Sequence, residues 1–457
     1  MKGSVDTILE AVGATPLVRL NKLGTELEAT LYVKCEFLSP SGSAKDRMAR
    51  ALVDAAERSG SLRPGGTIVE ATTGNAGAAL ALVAAVRGYK CICVVPEKAS
   101  AEKLASLRAY GAKVVVAPGV VDPDDPRGMR SVAAQLASES PGAFFINQWD
   151  NLENPEAYAA SLGPELWEQT EGSFDAIVAG IGSGGLLMGL RRYLKAKKPD
   201  IQVVGVDARG SLYHDLATSG RVTQPSGYQL EGVGSDFVPR VLDLGALDAV
   251  VQVDDRNAFL TTRDLVRLEG IYAGGSSGAA VAGAMAWARK NPGTKNILVV
   301  LPDSAGLYLS KLFNDEWMRE NGFLSEQEGL GTVRDLLQNK GGVGVVTAKA
   351  YDRVRDVVMR MKKHGISQLP ILDGDTLLGA VAEVDLLRYL VSGESSLDGA
   401  VAPLVENDYA TVNPDASIEE LKATLADARM AIVLEGERIV GIVTKIDLID
   451  YLAKRAS

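Results

Sequence analysis

The sequence is poor in histidine, cysteine and aromatic residues, and each shortage excludes a class of function. Of 457 residues, two are histidine, three are cysteine and 5% are aromatic. Two histidines, His214 and His364, nearly exclude a histidine-based triad or a histidine-rich metal site, so we expect no metal. Three cysteines cannot build a disulfide framework, so we expect small apolar core residues and a reducing, cytoplasmic location.

The charge and hydropathy patterns limit the classes of binding partner that we expect. The chain is 46% hydrophobic and 23% charged, as in ordinary globular proteins. A net charge of −10 argues against nucleic acid or an anionic membrane as a partner. The uncharged stretch 270–288 is rich in Gly and Ser, which suits a loop and a packed helix better than a membrane span. We therefore expect small-molecule substrates.

Short β-branched runs alternate with amphipathic stretches over residues 1–325. Several of the runs are apolar on both faces, which is typical of parallel strands covered by helices. We predict an α/β domain at 1–325, with two lobes and a cleft between them. The predicted strands are 31–37, 67–70, 91–95, 113–116, 175–179, 202–206, 249–253 and 296–301, and the predicted helices include 44–58, 76–87, 101–110 and 186–197.

A repeat with an offset of 62 residues organises the remaining 326–457. Residues 378–390 align with 440–452, and 368–373 align with 430–435. Each copy predicts a helix, a strand, a turn, a strand and a helix. We therefore predict an α+β tandem, with a first copy at 331–393 and a second at 394–457, whose apolar faces can be buried against each other.

Two motifs in the first domain combine small residues with a reactive or polar side chain. Lys45 follows a small-residue loop at the start of a predicted helix, where the helix dipole disfavours an ammonium and lowers its pKa, as an amine nucleophile requires. A surface lysine paired with an acid is the alternative. Residues 72–75, Thr-Thr-Gly-Asn, lead from a strand into a helix and suit a carboxylate guest. Asn75 could cap that helix and donate to a ligand, or be an ordinary cap alone.

Two glycine-rich motifs also precede helices. Residues 180–185, Gly-Ile-Gly-Ser-Gly-Gly, match the dinucleotide fingerprint, and Asp207 ends the next strand. The same geometry binds any phosphate, and the motif follows a complete α/β half, where a first βαβ unit is not expected. A nicotinamide-dependent oxidoreductase stays open at this point. Residues 273–279 place hydroxyl groups close to the backbone, where one serine could face the ring nitrogen of a ligand.

Together with residues 12–21, 34–37, 87–91 and 301–304, these motifs resemble the fold-type II pyridoxal-phosphate enzymes, within them the cystathionine β-synthase and cysteine synthase group. The resemblance covers nearly all of residues 5–324. It implies pyridoxal 5′-phosphate held covalently by Lys45, with Asn75 at the ring hydroxyl and Ser276 at the ring nitrogen. It further implies a phosphate cradle of Gly182, Ser183, Gly184 and Gly185, and a substrate-carboxylate site of Thr72, Thr73 and Gln148.

The reaction that this resemblance implies is β-replacement. Serine, or an activated serine, loses its β-substituent after Lys45 removes the α-proton, and a thiol adds to the aminoacrylate intermediate. Homocysteine would give cystathionine, whereas a cysteine synthase would use O-acetylserine and sulfide. The resemblance also implies a homodimer or higher homo-oligomer. The catalytic pattern begins near Val5, without the haem-binding extension of the animal members, so we expect no haem.

The tail resembles a pair of cystathionine-β-synthase-type (CBS) domains, also called a Bateman module. Such pairs bind adenosyl compounds, with a Thr and an Asp near the ribose. The second copy keeps Thr444 and Asp447, whereas the first has Ala382 in place of the Thr beside Asp385. S-adenosylmethionine or an adenine nucleotide is therefore a candidate regulatory ligand. The alternatives are a dimerising or structural tail, and a regulatory adenosyl-binding protein whose catalytic half has decayed.

The chain departs from the group's pattern at several substrate and cofactor positions. Thr73 and Ala76 replace the usual Ser and Thr, and Leu186 follows the phosphate loop where a Thr is usual. Ser235 stands where animal cystathionine β-synthases carry a Tyr. The sequence leaves open whether the donor is serine, O-acetylserine or O-phosphoserine, and whether the acceptor is homocysteine or sulfide.

Overall fold

The computed structural model describes residues 3–72, 74–97, 99–118, 125–324, 330–340, 345–374, 376–392, 396–436 and 438–456. The chain divides into two compact units, Met1–Phe323 and Leu324–Ser457. No described helix is both long enough and apolar enough to cross a membrane.

The first unit contains two sheets that are parallel except at one edge. The larger sheet has the order β1-β2-β10-β7-β8-β9, and β1 alone is antiparallel to its neighbour. The smaller sheet has the order β5-β4-β3-β6 and is parallel throughout. The strands are β1 (Leu17–Arg19), β2 (Thr30–Cys35), β3 (Thr67–Ala71), β4 (Lys90–Pro96), β5 (Lys113–Ala117), β6 (Ala143–Phe145), β7 (Ala176–Gly180), β8 (Gln202–Ala208), β9 (Ala249–Val253) and β10 (Asn296–Leu301).

Helices follow most of these strands and cover the sheets. They are α1 (Lys45–Arg58), α2 (Asn75–Arg87), α3 (Ala101–Ala109), α4 (Met129–Glu139), α5 (Glu153–Ala160), α6 (Leu162–Thr170), α7 (Gly185–Lys197), α8 (Tyr213–Ser219), α9 (Asp255–Glu269), α10 (Gly275–Lys290) and α11 (Asp315–Glu320). Helix α10 packs so closely on α9 that a Cβ at Gly278 would lie 2.0 Å from Thr262 Oγ1. The two-lobed parallel α/β architecture predicted from the sequence is confirmed.

The predicted strands occur within about two residues of their expected ends, and β1 and β6 were not predicted. Both are three residues long, too short for a periodic signal. The predicted strand 31–37 ends early, because Glu36–Leu38 form a 3₁₀ turn. The three cysteines are buried and free, as expected of core residues.

The second unit contains the repeat as two three-stranded sheets. Hairpins β12–β13 and β15–β16 are antiparallel, and their registers shift at equivalent places, Ile371/Leu372 and Val433/Leu434. An irregularity conserved at the 62-residue offset marks one motif folded twice. The elements are α12 (Val333–Asn339), β11 (Ala348–Lys349), α13 (Val354–His364), β12 (Gln368–Asp373), β13 (Thr376–Ala382), α14 (Glu383–Val391), β14 (Ala410–Val412), α15 (Ile418–Asp427), β15 (Met430–Glu435), β16 (Arg438–Thr444) and α16 (Lys445–Ala456).

Candidate active site

One pocket in the first unit lies at the carboxyl ends of strands from both sheets, where α/β folds bind their ligands. Eight of the residues implied by the resemblance line it: Lys45, Thr72, Asn75, Gln148, Gly182, Ser183, Gly184 and Ser276. Gly185 begins α7 at the edge of this pocket. Thr73 lies outside the described residues.

Lys45 is the first residue of α1 and reaches across the pocket. Its Nζ lies 3.3 Å from Gln148 Oε1 and 3.4 Å from Ser183 Oγ. Burial of the ammonium lowers the pKa of Lys45 to about 8, although the nearby Glu70 carboxyl opposes this effect. A lysine in this state offers a neutral amine at mildly alkaline pH, as covalent chemistry requires.

A buried network of charges fixes α1, and therefore Lys45. Arg47, two residues after Lys45, donates to Glu36 at 2.7 Å and to Glu165 at 2.8 Å. Lys34 also bonds Glu165. Arg47 is 5% exposed, and Lys34 and Glu36 are 0% exposed. Because strong charge-assisted bonds join α1 to its neighbours, the base of Lys45 is held rigidly.

Glu70 lies behind Lys45 and Gln148 at the end of β3. It is fully buried, and its Oε2 atom has no hydrogen-bond partner. Gln148 Nε2 donates to Glu70 Oε1 at 3.2 Å and to the Ala71 carbonyl at 3.4 Å. Burial raises the pKa of Glu70 to about 8, and the bond from Gln148 opposes this. With its nitrogen so engaged, Gln148 binds a substrate carboxylate only by exchanging one of these bonds.

Glycines make a cradle at the start of α7. A Cβ at Gly182 would lie 2.8 Å from the Gly232 carbonyl, and one at Gly185 would lie 2.0 Å from Asn154 Oδ1. Gly184 has φ +86°, which favours glycine. The helix N-terminus and the bare backbone amides suit a phosphate.

Tyr213 supports this cradle from behind. Its hydroxyl donates to the Gly182 carbonyl at 3.0 Å, and its side chain is fully buried. Burial raises the pKa of Tyr213 well above its usual value, so the hydroxyl keeps its proton as a donor. Ser235, where the sequence departs from the group, hydrogen-bonds Tyr213 and is not part of the pocket lining. The sequence analysis missed Tyr213.

The expectation that Asn75 caps α2 is wrong. Gly74, with φ +134°, is the N-cap, and Asn75 is the first helical residue. Thr72 Oγ1 instead accepts the backbone N–H groups of Gly74 and Gly77 at 3.0 and 3.2 Å. Asn75 is therefore free to face the pocket, and its Oδ1 atom is buried without a partner.

Asp303 follows β10 and belongs to the motif 301–304, but the sequence assigned it no role at the pocket. It is fully buried and accepts bonds from Asn75 Nδ2 at 2.8 Å, Ser276 Oγ at 3.1 Å and the Tyr308 hydroxyl. Its place in the motif 301–304, just after the carboxyl end of a strand, is the sequence signal that points to it.

Glu231 brings a buried ion cluster to the pocket wall. It bonds Lys103 at 2.8 Å and Lys311 at 2.7 Å. Burial would raise the pKa of Glu231, but the two ammonium groups outweigh that effect and hold it low. The wall therefore carries fixed charges.

The structure does not place Asp207, the acidic residue of the nicotinamide alternative, at the pocket. Asp207 is fully buried, does not line the pocket, and accepts the backbone N–H of His214 at 2.8 Å. Leu186, where the group usually has a Thr, does line the pocket and adds an apolar surface. Among the described residues, no cluster of three or more His, Cys, Asp or Glu could hold a metal ion.

In the second unit, the two copies of the Thr/Asp turn differ. Thr444 donates its hydroxyl to Asp447 at 2.7 Å, and Lys340 Nζ lies 2.8 Å from the same carboxyl oxygen. Despite burial, the bonds from Lys340 and Thr444 hold the pKa of Asp447 below its usual value. In the first copy Ala382 provides only its backbone N–H to Asp385, at 3.0 Å.

The pocket fits pyridoxal phosphate on observations of the chain itself. The glycine cradle leaves room for a phosphate where side chains would collide. Lys45 supplies an amine with a lowered pKa. The partnerless Oδ1 of Asn75 and the hydroxyl of Ser276 supply polar atoms for the ring substituents.

Comparison with known proteins agrees with this chemistry. The family model described as pyridoxal-phosphate dependent enzyme matches residues 8–303, and the CBS domain model matches 331–392 and 401–454. The two-lobed fold and its pocket thus define a pyridoxal-phosphate-dependent enzyme that carries a CBS domain pair.

Relatives narrow the family. Cystathionine β-synthase of Dictyostelium discoideum is 36% identical, covering 98% of this chain and 93% of that protein. Cysteine synthase of Staphylococcus aureus is 38% identical, covering 67% of this chain and 96% of that protein. The crystal structure of an O-acetylserine-dependent cystathionine β-synthase from Helicobacter pylori is 35% identical with a TM-score of 0.62, covering 67% of this chain and 98% of that one. The chain belongs to the cystathionine β-synthase family.

Proposed function

We propose that this enzyme condenses serine with homocysteine to give cystathionine. The observation that carries the proposal is the convergence of the implied residues on one pocket around Lys45. Relatives named cystathionine β-synthase match across 98% of the chain, including the tail.

Pyridoxal phosphate, when bound, supplies an electron-withdrawing ring that acidifies the substrate's α-proton. Lys45 Nζ would hold the cofactor and remove that proton, and the serine hydroxyl would take up a proton and leave the β-carbon as water. The thiol would give up its proton as its sulfur bonds the β-carbon, and Lys45 would return a proton to the α-carbon. Its lowered pKa keeps the amine available for each transfer. With histidine absent from the pocket lining, one amine performs these transfers.

The remaining pocket residues bind and orient. Asn75 contacts the ring hydroxyl and Ser276 the ring nitrogen, and the backbone of residues 182–185 holds the phosphate through the N-terminus of α7. Thr72 and Gln148 bind the substrate carboxylate, together with Thr73 by resemblance. These side chains fix the amino acid so that its α-proton faces Lys45.

A second candidate is cysteine synthesis from O-acetylserine and sulfide. It is favoured by the identity to the Staphylococcus aureus cysteine synthase over the catalytic two thirds of the chain. The Helicobacter pylori structure, which is named as O-acetylserine dependent, also favours an activated donor.

A matrix of donors and acceptors tests the proposal. Serine, O-acetylserine and O-phosphoserine are each incubated with homocysteine or sulfide, and the amino-acid products are quantified, with Lys45→Ala as control. We expect the highest kcat/KM for serine with homocysteine, and no product from the variant. Preference for O-acetylserine with sulfide would establish the second candidate instead. Consumption of neither thiol with any donor would refute β-replacement.

We also propose that the second CBS copy binds an adenosyl compound through Thr444 and Asp447, whose geometry matches the expected Thr/Asp pair. Calorimetry of the full chain with S-adenosylmethionine and AMP tests this, and absence of heat with both would refute it for those two ligands. A homodimer, proposed from the resemblance, is tested by light scattering. The three free cysteines support a reducing, cytoplasmic location.

A further inference from the structure

We propose that Asp303 is a positioning residue that fixes the side chains of Asn75 and Ser276 beside the cofactor ring. The proposal rests on the proposed function, because it takes Asn75 and Ser276 as the residues that face the ring.

Three side-chain donors from separate parts of the chain converge on this one carboxyl. Asn75 begins α2, Ser276 lies in the first turn of α10, and Tyr308 follows β10. Asn75 Nδ2 lies 2.8 Å from Asp303 Oδ2, and Ser276 Oγ lies 3.1 Å from Asp303 Oδ1. Because Asn75 and Ser276 line the pocket and Asp303 does not, Asp303 lies behind them and acts through them.

The backbone around Asp303 is built to admit this carboxyl. A Cβ at Gly274 would lie 2.4 Å from Asp303 Oδ1, so that only glycine leaves the necessary space. The Gly274 N–H also donates to the Asp303 carbonyl at 2.8 Å. On the other side, the Ala44 N–H donates to the Pro302 carbonyl at 2.8 Å, which connects this segment to the residue before Lys45.

These bonds fix the orientation of the pocket side chains. The bond from Ser276 Oγ to Asp303 holds the serine in one rotamer beside the ring. Asn75 likewise turns its nitrogen to Asp303 and leaves Oδ1 without a protein partner. Without Asp303, both side chains are free to adopt other rotamers.

The test measures the cofactor itself as well as activity. Apoenzyme is titrated with ¹⁵N-labelled pyridoxal phosphate, giving a dissociation constant and the chemical shift of the ring nitrogen. We expect Asp303→Asn, an isosteric change that removes at least one accepting oxygen, to weaken binding about tenfold and to move the ring-nitrogen resonance. Tyr89→Phe is the control, because it also removes one tyrosine hydroxyl, which bonds Glu57 at 2.8 Å, and neither residue lines the pocket. It should change the dissociation constant less than about twofold and leave the resonance in place.

A double-mutant cycle separates positioning from a general loss of structure. If Asp303 acts through Ser276, Asp303→Asn moves the resonance in the wild-type background but not in Ser276→Ala. Gly274→Ala is a second variant, which displaces the same carboxyl by steric contact and should reproduce the shift. Suppose that Asp303→Asn leaves cofactor binding and the resonance unchanged, whereas Ser276→Ala alters both. This result would refute the role of Asp303 and leave the proposed placement of the ring intact. If neither Asn75→Ala nor Ser276→Ala altered binding or the resonance, the placement of the ring, and the proposal with it, would fail.

Discussion

The catalytic pocket and the Thr/Asp turn of the second CBS copy differ in how their polar atoms are satisfied. Around the pocket, Glu70 Oε2, Asn75 Oδ1 and Asn154 Oδ1 are buried without partners. In the second CBS copy, Asp447 is already bonded by Thr444 and Lys340. Leaving a buried polar atom unpaired costs about 1–3 kcal/mol, and of these three residues Asn75 lines the pocket, so a polar guest that bonds Asn75 Oδ1 removes that cost. A ligand of the tail must instead exchange existing bonds, which favours weak, reversible binding.

A side chain placed in the glycine cradle should have the largest effect on cofactor binding. In Gly185→Ala, the new Cβ would collide with Asn154, and overpacking of this kind costs about 1–3 kcal/mol. We expect affinity for pyridoxal phosphate to fall about 10- to 100-fold in fluorescence titrations of the apoenzyme. Gly227→Ala is the control, since a Cβ there meets nothing within 4 Å. Equal affinity in both variants would show that the cradle is not the phosphate site.

The buried Glu70 carboxyl should make the stability of the folded protein depend on pH. Its pKa of about 8 means that the folded state keeps a proton that the unfolded chain releases near 4.5. Between these values the folded state binds more protons, so wild-type stability falls as the pH rises. Glu70→Gln removes this pH-dependent loss. The free energy of unfolding of the variant relative to wild type should therefore grow by up to about 1.4 kcal/mol for each pH unit. Denaturant unfolding at pH 5 and 7.5 measures this difference, and a constant difference would contradict the raised pKa.

The support from Tyr213 gives a smaller effect. A peptide's C=O and N–H point in opposite directions, so holding the Gly182 carbonyl directs the Ser183 N–H towards the pocket. Tyr213→Phe should weaken cofactor binding about fivefold, as loss of one hydrogen bond predicts. Tyr89→Phe is the matched control, because its hydroxyl bonds Glu57 at 2.8 Å rather than the cradle. Equal cofactor affinities of the two variants would show that Tyr213 does not support cofactor binding.

The smallest effect on basal activity is expected in the tail. Asp447→Asn should abolish the calorimetric response to the adenosyl ligand, because it replaces the carboxyl that we propose binds the ribose. Asp385→Asn, the equivalent change in the first copy, should preserve the response. Basal turnover should change less than about twofold in both. Loss of response in Asp385→Asn instead would assign the ligand to the other copy.

The sequence predicts the architecture better than the polar contacts. Two-sided apolar runs locate the strands, and the 62-residue repeat locates both hairpins, because these features are periodic along the chain. Lys45 and the glycine loop are recognisable from their motifs. The Asn75 cap was predicted wrongly, because the conformation of Gly74 and the hydroxyl of Thr72 decide the end of α2. The roles of Asp303 and Tyr213 escape prediction, because the residues that they bond at the pocket, Asn75, Ser276 and Gly182, are at least 27 positions away in sequence.

The visible absorption spectrum of the purified enzyme is the decisive measurement, recorded with and without serine for wild type and Lys45→Ala. We expect a yellow wild-type protein whose absorption band shifts when serine is added, and a variant that loses this response. A protein that stays colourless after incubation with pyridoxal phosphate, or a variant that responds to serine as wild type does, would contradict the assignment of Lys45 and its pocket.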